Sequence, residues 1–261
     1  MITEQELNKN IQFLAKSEIR LKILSELVNK PLSIKEIVQK TKITYSSVSS
    51  NISKLEKNSY VKKIRGKYEL KPISKFYFKT LMDFKKSMDF IADFDELWNR
   101  HNIDQLSLNA IQNINDIENS TLIETTPLDI YKTHNTVKEH ITHTNSMKAI
   151  FPYLHPEYPK LVEDILKKGG TVELILPKMI FKETIYQIEQ KIRKNAARNG
   201  NLKIYAVSDE LKLYLTICDE GMSLGLFKAD NSFDQNRILI SNDEKAKKWA
   251  YDLFEYSKSK K

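Results

Sequence analysis

A chain of 261 residues with 41% hydrophobic and 29% charged side chains has the apolar content of a folded protein of about two domains and is not a disordered chain. One cysteine, Cys218, excludes an intramolecular disulfide and an all-cysteine zinc cluster. No apolar run approaches the roughly 20 residues that span a bilayer. The start lacks signal-peptide character, so no membrane partner and a cytoplasmic location are expected. The net charge of +8 is concentrated, with 16 Lys/Arg against 7 Asp/Glu in residues 1–75 and near balance beyond, which points to nucleic acid.

Thr3 to Ala15 has helical spacing, with Leu7, Ile11 and Leu14 on one face. Ser17 to Asn29 forms a second helix through Leu21, Leu24 and Val28, and Pro31 stops it. Ser33-Ile34-Lys35-Glu36 is a capping box opening a third helix that ends near Lys40-Thr41. After the turn Lys42-Ile43, Thr44 is an N-cap for a fourth helix reaching about Asn58. Tyr45, Val48, Ile52 and Leu55 fall on one stripe of it, expected to be buried. Ser47, Ser50, Asn51 and Lys54 fall on the opposite stripe, with Thr44, Tyr45 and Ser46 at its start. Short hydrogen-bonding side chains and a cation suit a helix laid in a major groove. Val61–Ile64 and Tyr68–Leu70 read as two strands around Arg65-Gly66-Lys67, which would set Lys62, Lys63, Arg65 and Lys67 against phosphates. A Ser/Thr-rich surface helix is the plainer account of Thr44–Asn51 alone. The capping box, amphipathic helix and basic hairpin in this order favour a winged helix-turn-helix that binds double-stranded DNA.

Ser74 to Arg100 is expected to be one long helix, so rich in Phe, Met, Leu and Trp that it must pack on the second domain or on a partner subunit. A homodimer is the expected state. From residue 101 helices and strands alternate. Leu106–Ile117 reads as a helix, Thr121–Glu124 as a strand, and Thr126-Pro127-Leu128-Asp129 as a helix start with Thr126 as N-cap. Met147–Phe151 and Val172–Leu176 read as strands, and Phe181, Ile185, Ile188, Ile192 and Ala196 as the stripe of one helix. Strands Leu202–Ala206, Leu211–Ile217, Met222–Phe227 and Ile238–Ile240 follow. Ser241–Glu244 reads as a capping box opening the terminal helix, and Lys258–Lys261 as a frayed tail. The expected fold is α+β overall: a winged helix (1–72), a connecting or dimerisation helix (73–101), and an α/β sheet domain (102–261), mostly parallel in its first half.

Chemistry is sparse. The glycines form neither a Walker loop nor a GxGxxG turn, and there is no GxSxG elbow. His140 and His143 share a helix face, with Glu139 beside them and His134 upstream. Two imidazoles are a weak ligand set, a solvated polar face explains them as well, and neither metal nor cofactor is expected. Ligands of open α/β sheets gather beyond the carboxyl ends of parallel strands. That places an effector site at Thr125 and Thr126, at Tyr153 and His155, and at Lys178, residues that suit a small polar or anionic molecule.

The first domain, in Ser17-Glu18-Ile19-Arg20-Leu21-Lys22-Ile23-Leu24 and its element order, resembles the winged-helix domains of archaeal and bacterial transcription regulators. Phe94-Asp95-Glu96-Leu97-Trp98-Asn99-Arg100-His101 and Leu166-Lys167-Lys168-Gly169-Gly170-Thr171-Val172-Glu173-Leu174-Ile175 extend the likeness. With them, nearly the whole chain resembles archaeal regulators of the methanogenesis-regulator (filament-formation) family. The second domain is similar in element order to the phospholipase-D-like effector domains of sugar-sensing TrmB-type regulators. Active members of that superfamily carry His-x-Lys-x4-Asp, and none of the five histidines here has Lys two residues on. The resemblance thus implies a non-catalytic sensor or assembly domain on a transcription regulator. A nuclease-like or phosphodiesterase enzyme and a DNA-tethered scaffold are the alternatives.

Overall fold

The computed structural model describes residues 3–259, and the chain divides into two compact units, Met1–Met88 and Asp89–Lys261. The first contains α1 (Glu4–Ala15), α2 (Glu18–Asn29), α3 (Ile34–Thr41), α4 (Tyr45–Lys57), β1 (Val61–Ile64), β2 (Lys67–Leu70) and most of α5 (Pro72–Asp93). Local chemistry sets these boundaries. Thr3 and Ser33 open α1 and α3 as reciprocal capping boxes with Glu6 and Glu36, and Ser17 and Thr44 accept from the first turns of α2 and α4. Lys42, in the left-handed region at φ 58°, ends α3 with its N–H on the Val38 carbonyl.

Ile23, Leu24 and Leu27 of α2, Ile37 of α3, and Val48, Ile52 and Leu55 of α4 close the core with Tyr68 and Leu70 of β2 and Phe78 of α5. Each such burial stabilises by roughly 1.5–3 kcal/mol. Three expected core positions lie elsewhere. Tyr45 is 56% exposed, because the first residue of α4 precedes the turn that contacts α2 and α3. Leu7 and Ile11 of α1 are exposed as well, leaving Leu14 as that helix's buried anchor.

The expected 74–100 helix breaks at Phe94. The short α6 (Asp95–Arg100) follows, and Phe90, Phe94, Leu97 and Trp98 join the core of the second unit. That unit continues through β3 (His101–Asn102), α7 (Leu108–Gln112), a 3-10 turn (Ile114–Ile117), β4 (Thr121–Glu124), α8 (Lys132–His143), β5 (Ser146–Ile150) and α9 (Tyr158–Lys167). Then come β6 (Thr171–Pro177), α10 (Lys178–Gln187), α11 (Gln190–Arg198), β7 (Leu202–Val207), β8 (Leu213–Ile217), β9 (Met222–Lys228), β10 (Arg237–Ser241) and α12 (Glu244–Ser259).

The sheet order is β4-β10-β9-β8-β5-β6-β7, with β3 also on β9. Only β5-β6-β7 is parallel. The first strand, β4, pairs antiparallel with β10 at the far edge, so the parallel run is shorter than expected. Both faces are covered, as parallel strands require. Ile150, Ile175 and Leu215 face α12 through Trp249, Leu253 and Phe254. Met147, Leu174 and Tyr214 face α8 and α9 through Val137, Ile141, Val162 and Ile165.

Further boundaries differ from expectation. Thr126 and Asp129 exchange backbone hydrogen bonds and close a loop, so Thr126 caps no helix and α8 starts at Lys132. The Leu106–Ile117 helix is two short turns. The 181–196 stripe is two helices: Ile188 is extended and buried, and the buried Glu163 carboxylate accepts from Glu189 N–H at 2.6 Å to start α11. Ser241 belongs to β10, and α12 is capped by Asp243, which accepts from Lys245 N–H at 2.8 Å. Lys258 and Ser259 extend α12 where a frayed tail was expected, and Lys260 and Lys261 lie outside the described residues.

Candidate functional site

In the first unit, the outward side of α4 presents Tyr45, Ser46, Ser50 and Lys54 exposed, with Ser47 and Asn51 half-buried. Thr44 Oγ1 donates to Ser47 Oγ at 3.0 Å, and Asn51 Nδ2 donates to the Ser47 carbonyl at 2.9 Å. That bond orients the Asn51 amide. The β1–β2 hairpin turns at Arg65 (φ 46°) and Gly66 (φ 80°), a tight turn that needs the left-handed region at both positions. Lys62 pairs with Glu69 at 2.8 Å and Lys67 with Glu36 at 3.2 Å, while Lys63 lies over the Tyr68 ring. Arg65 at the tip makes no ion pair among the described residues.

In the second unit, a recess of about 60 Å³ is lined by Thr133, His134 and Val137 of α8, Tyr153, His155 and Tyr158 after β5, Tyr214 of β8, and Phe233 to Ile238 leading into β10. Its walls are stacked rings: Phe151 on Tyr158 (4.2 Å), Tyr158 on His155 (4.5 Å) and His155 on His134 (4.4 Å). Burial pushes the Tyr153, Tyr158 and Tyr214 hydroxyls well above the usual tyrosine range, so they stay protonated donors. Burial, and then the neighbouring His134, lowers the His155 pKa. Arg237 Nε donates to Glu124 at 2.7 Å and its NH1 reaches Asp234 at 3.4 Å.

Of the five expected effector residues, the recess brings together Tyr153 and His155. Thr125, bonded to Asn236, Thr126 and Lys178 stand outside it. All three strand ends do lie on one edge of the sheet. Thr125 is held beside the start of β10 by Asn236, next to lining residues, but neither it nor Thr126 lines the recess. Tyr158, Tyr214, Phe233, Asp234 and Arg237 escaped sequence reasoning, and His134 was grouped with His140 and His143, away from its partners here. The starts of the antiparallel β8 and β10 reach the same edge as the end of β5, and nothing local in the sequence encodes that pairing. Of the paired histidines of the sequence, His140 and His143, the latter bonds through Nδ1 to the Glu139 carbonyl at 3.0 Å, and among the described residues neither belongs to a cluster of three or more ligand-type side chains.

The N-terminal domain model of the methanogenesis regulatory protein FilR1 matches residues 8–89, and that protein's middle domain model matches residues 130–260. The chain belongs to the FilR1 family. The methanogenesis regulatory protein FilR1 of Methanothrix harundinacea (strain 6Ac) is 21% identical over 97% of this chain, and the chain spans 57% of that relative's length. Among solved structures, the archaeal chromatin protein TrmBL2 aligns over 95% of this chain and 96% of its own, with 12% identity and a TM-score of 0.41. Polyphosphate kinase from Porphyromonas gingivalis aligns over 54% of this FilR1-family chain and 26% of its own, with 8% identity and a TM-score of 0.37. Among the described residues no helix is long and apolar enough to cross a membrane.

Proposed function

We propose that this chain is a DNA-binding transcriptional regulator whose N-terminal unit works as a winged helix. In this reading α4 lies in the major groove, with Ser47, Ser50, Asn51 and Lys54 toward base edges and phosphates. Thr44, Tyr45 and Ser46 meet the backbone at its N-terminus, and the hairpin sets Lys62, Lys63, Arg65 and Lys67 on a neighbouring phosphate row. The observation that carries it is the polar, exposed outer face of α4 beside a basic hairpin, within the part of the chain that holds the positive excess. The Lys62–Glu69 and Lys67–Glu36 pairs are surface pairs worth only ~0–1 kcal/mol, so phosphates can replace them. Membership in a family named for a regulatory protein agrees with this role. Selecting genomic fragments in vitro with the purified protein tests it: enrichment of a common sequence supports the assignment, and indifferent recovery contradicts it.

The second unit is the sensing module in this proposal, of the non-catalytic, phospholipase-D-like kind, and its effector site is the aromatic recess around Tyr153 and His155. Small-molecule pockets usually measure ~300–1,000 Å³, so a recess of about 60 Å³ takes either a very small ligand or a larger one that parts Arg237 and Phe233. A thermal-shift screen of small polar and anionic compounds tests this, with Tyr153→Ala as the discriminating variant. The working form is a homodimer, since Ile73, Phe76, Phe84 and Met88 share one face of α5 and are 49–73% exposed, an apolar stripe that a solvated helix would not carry.

A further inference from the structure

We propose that His134, His155 and Glu157 form a binding site for a divalent transition ion of the zinc class at the mouth of the aromatic recess. The three residues come from the first turn of α8, from the loop after β5, and from the residue preceding α9. One ligand atom of each lies within 4.8 Å of the other two. Tetrahedral coordination at 2.0–2.2 Å sets donor atoms about 3.4 Å apart, so side-chain rotations of roughly an ångström complete the set.

The donors are close but not yet convergent, because the His134 and His155 rings stack with 22° between their planes and one ring must turn for both to meet an ion. The Glu157 N–H donates to His155 Nδ1 at 3.2 Å, and an ion at that nitrogen displaces this bond. Lys138 holds Glu157 Oε1 at 2.9 Å and leaves Oε2 against His134 Nε2 at 2.6 Å. An entering ion takes the place of the proton between Oε2 and Nε2: a neutral His134 keeps that proton by carrying it on Nδ1, and a charged one gives it to solvent. Two imidazoles and one carboxylate suit a borderline ion more than calcium or magnesium, which take oxygen ligands. His134 and His155 also line the recess of about 60 Å³, so a water or one donor atom of a small ligand held there would complete the set. Lys138 is the opposing charge. Its side chain is 42% exposed, and the amine either keeps its bond to Oε1 as an outer support or swings to solvent. The rival account is an ion pair, His134–Glu157, beneath stacked rings with no ion. The site stands without the effector assignment, because ion binding is measured with neither DNA nor effector present.

The test is titration of chelator-treated full-length protein with Zn²⁺ by calorimetry and with Co²⁺ by visible absorption. One ion per chain is expected, with His134→Ala, His155→Ala and Glu157→Gln each weakening the affinity at least tenfold and His140→Ala with His143→Ala leaving it unchanged. Wild-type affinity should also fall in acid, where protons compete with the ion for the imidazoles. Circular dichroism of the ion-free variants separates lost ligation from lost fold, and Glu157→Gln, a half-exposed position, keeps the test open if a histidine variant does not fold. No saturable binding by the wild type, or equal affinity in the folded variants, overturns the proposal.

Discussion

His101 and Asp234, 133 residues apart, meet with Nε2 2.9 Å from Oδ2, and both side chains are 1% exposed. His101 Nδ1 donates to the Leu97 carbonyl at 2.7 Å, so the imidazole ties the end of α6 to the segment leading into β10. Asp234 also accepts from Asn236 N–H and Arg237 NH1 and lines the aromatic recess. Burial alone would raise its pKa, but the Asn236 N–H and His101 outweigh burial and hold it below the usual aspartate value. Breaking a buried pair from one side leaves an uncompensated polar group and costs about 3–5 kcal/mol. His101→Ala and Asp234→Asn are therefore expected to destabilise the second unit by that order in urea unfolding. The double variant should be less than additive, since each single change already breaks the pair.

Acid should loosen the first unit through Glu36. Its carboxylate accepts from the Ser33 N–H and hydroxyl and from Lys67, and these bonds lower its pKa from 4.5 to about 2, with the Ser33 backbone bond the largest cause. A carboxylate whose pKa falls on folding stabilises fully above the unfolded value, and that stabilisation is lost as pH drops from about 4.5 toward 2. Thermal midpoints between pH 5 and pH 2.5 should fall in the wild type, and Glu36→Gln should flatten that part of the decline.

The hairpin is expected to act on all DNA sequences alike. Arg65→Ala should weaken binding without altering base preference and reduce the slope of log K against log salt by about 0.9, the contribution of one phosphate contact. Gly66→Val should also weaken binding, by straining a backbone at φ 80° at a cost of roughly 1–2 kcal/mol. Anisotropy titrations at three salt concentrations measure both.

Self-association should depend on the exposed face of α5. Phe84→Glu with Met88→Glu, both at exposed positions, is expected to leave the fold intact and give a monomer by light scattering, with DNA affinity reduced because one helix then reads one half-site. A variant that keeps the wild-type mass places the dimer contact elsewhere, and a wild type that is itself monomeric removes the dimer.

The N-terminal unit was readable because its signals are local. The capping box at Ser33, the N-cap at Thr44, the stripe Val48-Ile52-Leu55 and the turn at Arg65-Gly66 each act within a few residues, whereas the Thr3–Glu6 box went unread. Tyr45 misled because helical spacing says which side a residue is on, and not whether a neighbour reaches that turn. The sheet of the second unit was harder. Val172–Leu176 announced a covered strand by its nearly continuous apolar run, yet the return of β10 between β4 and β9 is a long-range pairing with no sequence mark. The recess inherits that difficulty: Tyr153 and His155 follow a parallel strand and were legible, whereas Phe233, Asp234 and Arg237 arrive with an antiparallel strand. The break at Ile188 depends on Glu163, 26 residues away, and periodicity alone reads through it.

The most direct test of the regulator assignment is the DNA affinity of α4 variants on a duplex selected by the wild type. Ser50→Asp and Lys54→Glu put negative charge on the exposed outer face of α4 without touching Val48, Ile52 or Leu55, so the fold should hold. Asn51→Ala removes one oriented amide, at about 1–3 kcal/mol for a base contact. The account predicts that Ser50→Asp with Lys54→Glu abolishes specific binding while circular dichroism is unchanged, and that Asn51→Ala relaxes preference at one base pair. Wild-type affinity and sequence preference in these folded variants would contradict it.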